Sequence, residues 1–167
     1  MIGNLVSSAL SPLKHLVGKP EPLPAYKESA GPWSVETQSE TYVDEARDRK
    51  VPLKIYSPEG APEGSSPVVV LSHGLAGNAL TYRYLGRHLA SHGYTVLQPT
   101  HVGSDTAAVL KRTPLLAFQP GELLNRVEDV RFTLDLMDEN KLPESVEGRL
   151  DRDRVALVGH SFGALTA

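Results

Sequence analysis

The apolar run Val155-Ala156-Leu157-Val158 leads directly into Gly159-His160-Ser161-Phe162-Gly163, and this junction constrains the fold more than any other stretch of the chain. A G-x-S-x-G at a strand end makes a sharp strand-to-helix turn with a serine at its apex. Glycine on both sides leaves room for so tight a turn, so that the Ser161 hydroxyl projects outward. The small, helix-compatible residues Ala164-Leu165-Thr166-Ala167 follow. Ser161 is therefore the candidate nucleophile. A glycine-rich turn in an unrelated α/β protein would not need a serine at that apex.

The pattern upstream alternates between two periods. Residues 33–44 and 51–56 alternate apolar and polar side chains around the charged run 45–50, which predicts two antiparallel edge strands joined by an exposed hairpin connection. A Gly-, Pro- and Ser-rich loop over 58–67 delivers Val68-Val69-Val70-Leu71, a continuous apolar run suited to a strand buried on both faces. Tyr82, Leu85 and Leu89 share a helical face between a cap at Asn78 and a stop at Gly93. Tyr94-Thr95-Val96-Leu97 reads as the next strand and 98–120 as a long loop. Leu123, Val127, Val130, Leu134 and Met137 then mark a helix by alternating steps of four and three, and the polar residues 139–154 lead back to Val155. Strands alternating with helices predict right-handed crossovers and a mostly parallel sheet, with antiparallel strands at its N-terminal edge and helices on both faces.

A second motif, Ser72-His73-Gly74-Leu75-Ala76-Gly77, follows the Val68–Leu71 run. When a serine attacks a carbonyl, the oxygen becomes an anion that two N–H groups must already face. The expected donors are the backbone N–H groups of Leu75 and Phe162, the latter at the start of the helix after the turn. His73 is expected to brace the loop through hydrogen bonds, and His160 to be a packed, hydrogen-bonded neighbour of the serine. His101 is a candidate for lining the substrate pocket, against the alternative of a solvated loop histidine. His15, His88 and His92 fall at helical positions that call for no function. Glu128, Asp129, Asp135 and Asp138, with Arg126 and Arg131, are spaced as surface ion pairs on the second helix. No metal-site spacing and no phosphate loop occurs, so neither metal nor cofactor is expected.

Composition narrows the rest. With 17 basic and 20 acidic residues interspersed and a formal charge of -3, the chain lacks the basic stripe of a nucleic-acid binder. The absence of cysteine excludes disulfides and a thiol nucleophile. No apolar run approaches a membrane span and no secretory signal is evident, so a soluble, cytoplasmic protein is expected. Ile2, Leu5, Val6, Ala9, Leu10, Leu13, Leu16 and Val17 form a helical stripe broken at Pro12, suited to packing or partner contact, with a membrane-surface helix over 2–17 as the alternative. With Pro20, Pro22, Pro24 and Pro32 after it, the stripe divides the chain into helical pieces plus a connector over 1–32 and a folded unit over 33–167.

Taken together, the elbow, the His-Gly loop and the strand order resemble the α/β-hydrolase superfamily. Gly31-Pro32-Trp33-Ser34-Val35, Leu53-Lys54-Ile55-Tyr56-Ser57-Pro58, Leu71-Ser72-His73-Gly74-Leu75, Leu89-Ala90-Ser91-His92-Gly93-Tyr94 and the elbow are similar to the platelet-activating factor acetylhydrolase and dienelactone-hydrolase-like esterase group. That resemblance implies hydrolysis of carboxylic esters, often short-acyl or lipid-like, by serine, aspartate and histidine without a cofactor. Cutinase-like and polyester hydrolases are near neighbours; dienelactone hydrolysis proper is not implied, because it uses a cysteine. In this fold the acid and histidine follow the serine, and the chain ends four residues after the elbow. It is therefore expected to be the N-terminal part of the fold and inactive alone, with a non-catalytic or split-chain association module as the competing reading.

Overall fold

The computed structural model describes residues 29–111 and 119–167. The helical pieces expected over 2–17, and His15 with them, lie outside the described residues. A five-stranded sheet runs in the order β1-β2-β4-β3-β5. Its strands are β1 (Val35–Asp44), β2 (Arg49–Pro58), β3 (Ser66–Ser72), β4 (Thr95–Pro99) and β5 (Leu150–Gly159). β3 is parallel to both β4 and β5, whereas β2 is antiparallel to both β1 and β4. β1 thus forms that edge alone. The expectation that β2 is also an edge strand is corrected by its core residues Val51, Leu53, Ile55 and Tyr56, which are all buried.

Side-chain alternation along the strands sorts the core into two layers. Val68 and Val70 of β3, with Leu53, Ile55 and Leu97, pack against Val130, Leu136 and Met137 of the helix over Pro120–Asp138. Val69 and Leu71, with Tyr56 and Val96, face Ala90, Leu85 and Leu89 of α1 (Arg83–Ser91). The apolar run in β3 is continuous because both faces are covered, and each such side chain contributes about 1.5–3 kcal/mol on burial. α1 starts later than expected. Asn78 Oδ1 accepts from Leu80 N–H at 2.8 Å, which makes a turn there rather than a cap, while Gly93 ends the helix at φ 97° as expected.

The expected long loop contains α2 (Thr106–Lys111), and the polar return after the longer helix, α3, holds a single turn, α4 (Glu144–Glu147). Residues Leu150 and Asp151 already pair with Ser66 and Pro67; a register irregularity then intervenes before Val155 meets Val68. The charged segment Arg152-Asp153-Arg154 falls in that irregularity, which hides the strand's true start from an apolar pattern. β5 forms the far edge of the sheet, with Val155, Leu157 and Val158 exposed.

The face of α3 differs most from expectation. Its buried residues are Arg126, Asp129, Val130, Thr133, Leu136 and Met137, while Val127 is exposed. The Glu128–Arg131 ion pair is at the surface, 3.6 Å apart, but Arg126 and Asp129 are not surface groups. Both are fully buried, because the first turns of α3 lie over the polar ends of β3 and β4 rather than over apolar side chains.

Candidate active site

The end of β5 delivers Ser161 in a left-handed conformation, φ 54°, that non-glycine residues rarely adopt. A 3-10 turn over Ser161–Leu165 follows where an α-helix start was expected. The backbone is fixed from two sides. A Cβ on Gly159 would stand 2.1 Å from Gly163 O, and one on Gly163 would stand 2.2 Å from Ser72 O. Both glycines of the motif are therefore required by close backbone approach, which presses the turn against the end of β3. Ser161 is exposed at its apex.

The loop after β3 abuts this turn: a Cβ on Gly74 would lie 3.5 Å from Ser161 Cβ. The peptide group that carries the Leu75 N–H is held by its carbonyl, since Gly74 O accepts from His73 Nδ1 at 2.7 Å. His73 Nε2 accepts from the His101 N–H at 3.0 Å, which places the single ring proton on Nδ1. Burial, and then the neighbouring His101, push the His73 pKa down to about 3, so the ring stays neutral. Ala76 N–H donates to Ser104 O and Gly77 N–H to Gly74 O, which closes the loop.

His73 makes a testable contribution to acid sensitivity. Its folded pKa lies below the ordinary 6.5, so its stabilising effect is complete above about pH 6.5 and fades as pH falls towards 3. His101, also lowered by burial, acts in the same direction. Unfolding free energy from urea titrations is expected to drop by up to about 1.4 kcal/mol per pH unit in that window from His73 alone. The slope should flatten in His73→Asn; an unchanged slope would rule His73 out as its source.

Beneath the loop lies a polar cluster that sequence reasoning missed. His101, the candidate for lining the pocket, is fully buried instead, with Nδ1 3.0 Å from Asp129 Oδ2 and Nε2 3.0 Å from Ser72 Oγ. Asp129 also receives Arg49 through two nitrogens, at 2.7 and 3.0 Å, and Arg47 at 3.0 Å. Both arginines come from the hairpin connection that was expected to be merely exposed. Burial would raise the Asp129 carboxyl, but the bonds from His101 and Arg49 outweigh it and hold the pKa below its usual value. A signal was present: Arg126, Val130, Thr133 and Met137 are spaced by four, three and four, in phase on one helical face.

The histidines around this turn are held differently. His73 and His101 have both ring nitrogens engaged as described, whereas His160, expected to be packed, is exposed and engages Tyr82 Oη through Nδ1 at 2.7 Å. Phe162 is buried behind the turn, beside Ser161 in the chain. Among the described residues, no group of three or more His, Cys, Asp or Glu could hold a metal ion, and no helix is long and apolar enough to cross a membrane.

A parallel β4-β3-β5 core with helices on both faces, a strained serine after β5 and a His-Gly loop against it define an α/β-hydrolase fold. Solved structures agree in fold. A ferulic acid esterase from Streptomyces cinnamoneus superposes with TM-score 0.59 at 22% identity, covering 83% of this chain and 55% of its own. A cold-adapted esterase from an Arctic intertidal metagenomic library gives 0.56 at 20% identity, covering 80% and 53%. The chlorophyllase family model matches residues 28–167, and the chain belongs to that family. It is also similar to platelet-activating factor acetylhydrolases, 29% identical to that of Cavia porcellus over 149 residues and 28% to that of Bos taurus over 135. These alignments cover 70% and 60% of the chain, and the chain spans about a third of the length of these relatives, 34% and 30%.

Proposed function

We propose that this chain supplies the nucleophile and oxyanion site of a serine hydrolase acting on carboxylic esters, with short-acyl, acetyl-type esters preferred. The observation that carries the reading is Ser161 at φ 54°, exposed at a strand end with the Gly74 loop packed beside it. Ser161 Oγ attacks the ester carbonyl carbon as its proton passes to a general base. The carbonyl oxygen takes the negative charge and is met by the N–H groups of Leu75 and Phe162. Collapse of the tetrahedral adduct breaks the bond to the alcohol oxygen, which leaves with a proton, and an acyl-serine remains. Water then attacks the acyl carbon and releases the acid.

The base cannot come from Phe162 to Ala167, the residues that follow the serine, because they include neither an imidazole nor a carboxylate side chain. The preference for a small acyl group draws on the acetylhydrolase relatives. A fluorophosphonate probe applied to the full-length protein tests the assignment, because phosphonylation needs an activated serine beside an oxyanion site. Peptide mapping is expected to place the label on Ser161, and p-nitrophenyl acetate to be cleaved faster than the octanoate. A label on another residue overturns the nucleophile; faster octanoate cleavage overturns the acyl preference.

A further inference from the structure

Arg126 reaches from α3 to both halves of the candidate site. Its side chain is fully buried, and its four hydrogen-bond acceptors are all neutral oxygens. One terminal nitrogen donates to the His73 carbonyl oxygen and, at 3.2 Å, to Ser72 Oγ, both at the root of the loop that carries Leu75. The other donates to Ser104 Oγ at 2.8 Å; Ser104 O in turn accepts from the Ala76 N–H of that loop. Nε donates to Thr166 Oγ1 at 2.9 Å, and Thr166 Oγ1 donates to Phe162 O at 3.2 Å. The guanidinium carbon also stands 4.6 Å over the Phe162 ring.

A buried guanidinium without a hydrogen-bonded carboxylate is costly, and an apolar side chain of similar size would often fill such a space at no loss of stability. What an apolar side chain could not do is hold two backbone segments at a fixed separation. The rigid fork of five N–H donors does this, with its terminal nitrogens on the β3 loop and on Ser104 and its Nε on Thr166 of the elbow turn. We propose that Arg126 is a positioning residue of the oxyanion site, setting the spacing between the Leu75 and Phe162 N–H groups by bonding both segments at once. Donors placed within a few tenths of an ångström of the developing oxyanion stabilise the transition state far more than the bound ester. The role therefore belongs in kcat rather than KM. It rests on Ser161 being the nucleophile and on those two donors.

The test compares Arg126→Gln, Thr166→Val and Ser161→Ala in the full-length protein on p-nitrophenyl acetate, with binding of a boronate transition-state analogue measured in parallel. Arg126→Gln is expected to lower kcat at least about tenfold and weaken the boronate to a similar extent, with KM changing less than about twofold. Thr166→Val removes only the elbow branch and should show the same split at about threefold to fivefold. If Arg126→Gln does not fold, Thr166→Val decides. Either folded variant with wild-type kcat and boronate affinity, while Ser161→Ala is inactive, overturns the positioning role. Activity surviving in Ser161→Ala overturns the nucleophile assignment itself, and this role with it.

Discussion

Ser161→Ala is expected to lower kcat for p-nitrophenyl acetate by about a hundred-thousandfold to a millionfold in the full-length protein, leaving only the modest acceleration that an oxyanion site gives to attack by water. The loss is large because, in the proposed mechanism, the serine oxygen is the atom that forms the new bond. Stability should move in a different way. The hydroxyl is exposed and alanine meets the same left-handed strain, so Ser161→Ala should stay within about 0.5 kcal/mol of wild type. Ser161→Gly, by contrast, relieves φ 54° and is expected to be equally inactive yet more stable by about 1 kcal/mol. Steady-state kinetics and urea midpoints on the two variants give the check. A glycine variant less stable than the alanine variant would mean that the turn stores no strain, and retained turnover in either would remove Ser161 from the mechanism.

That strain is legible in the sequence as a strand running into a glycine-flanked serine, since no other common arrangement needs those residue types in that order. The β3 run and the α1 stripe are legible for the same kind of reason: apolar pattern follows burial directly. What pattern does not reveal is burial of charge. Arg47 and Arg49 read as an exposed hairpin, and Arg126 and Asp129 as surface partners on α3, because residue type outweighs helical position in such a reading. The structure brings the four into the space beside His101 and the loop after β3. Long-range pairing of this kind, 80 residues apart for Arg49 and Asp129, leaves no local periodicity to find. The start of β5 is hidden similarly, by charged residues in a register irregularity rather than by a weak strand.

The largest effect on stability is expected at Asp129. Its carboxylate, 1% exposed, accepts from Arg47, from two nitrogens of Arg49 and from His101 Nδ1. Asp129→Ala would leave two arginines without their anion and a buried imidazole N–H without an acceptor. Removing one partner from such a buried cluster costs about 3–5 kcal/mol, far more than a surface ion pair. Arg47→Ala should cost only about 1 kcal/mol, because Arg47 is partly exposed and Asp129 keeps its bonds from Arg49 and His101. Asp129→Asn should recover little, since its amide N–H2 would face donors. The pH dependence separates this group from His73. The Asp129 pKa is held below its ordinary 3.8, so its stabilisation is complete above that value and lost only as pH falls through the lower folded pKa. The part of the difference between wild type and Asp129→Ala that comes from carboxylate ionisation should therefore be undiminished from pH 7 down to about pH 4 and be lost below it. Urea midpoints across that range provide the measurement, and a difference under about 1 kcal/mol at pH 7 would show that the cluster is not a major stabiliser. Its consequence for chemistry follows from connectivity. His101 joins Asp129 to Ser72 and, through its N–H, to the ring that holds the Leu75 peptide, so a loss at Asp129 should reach the loop after β3 before the sheet unfolds.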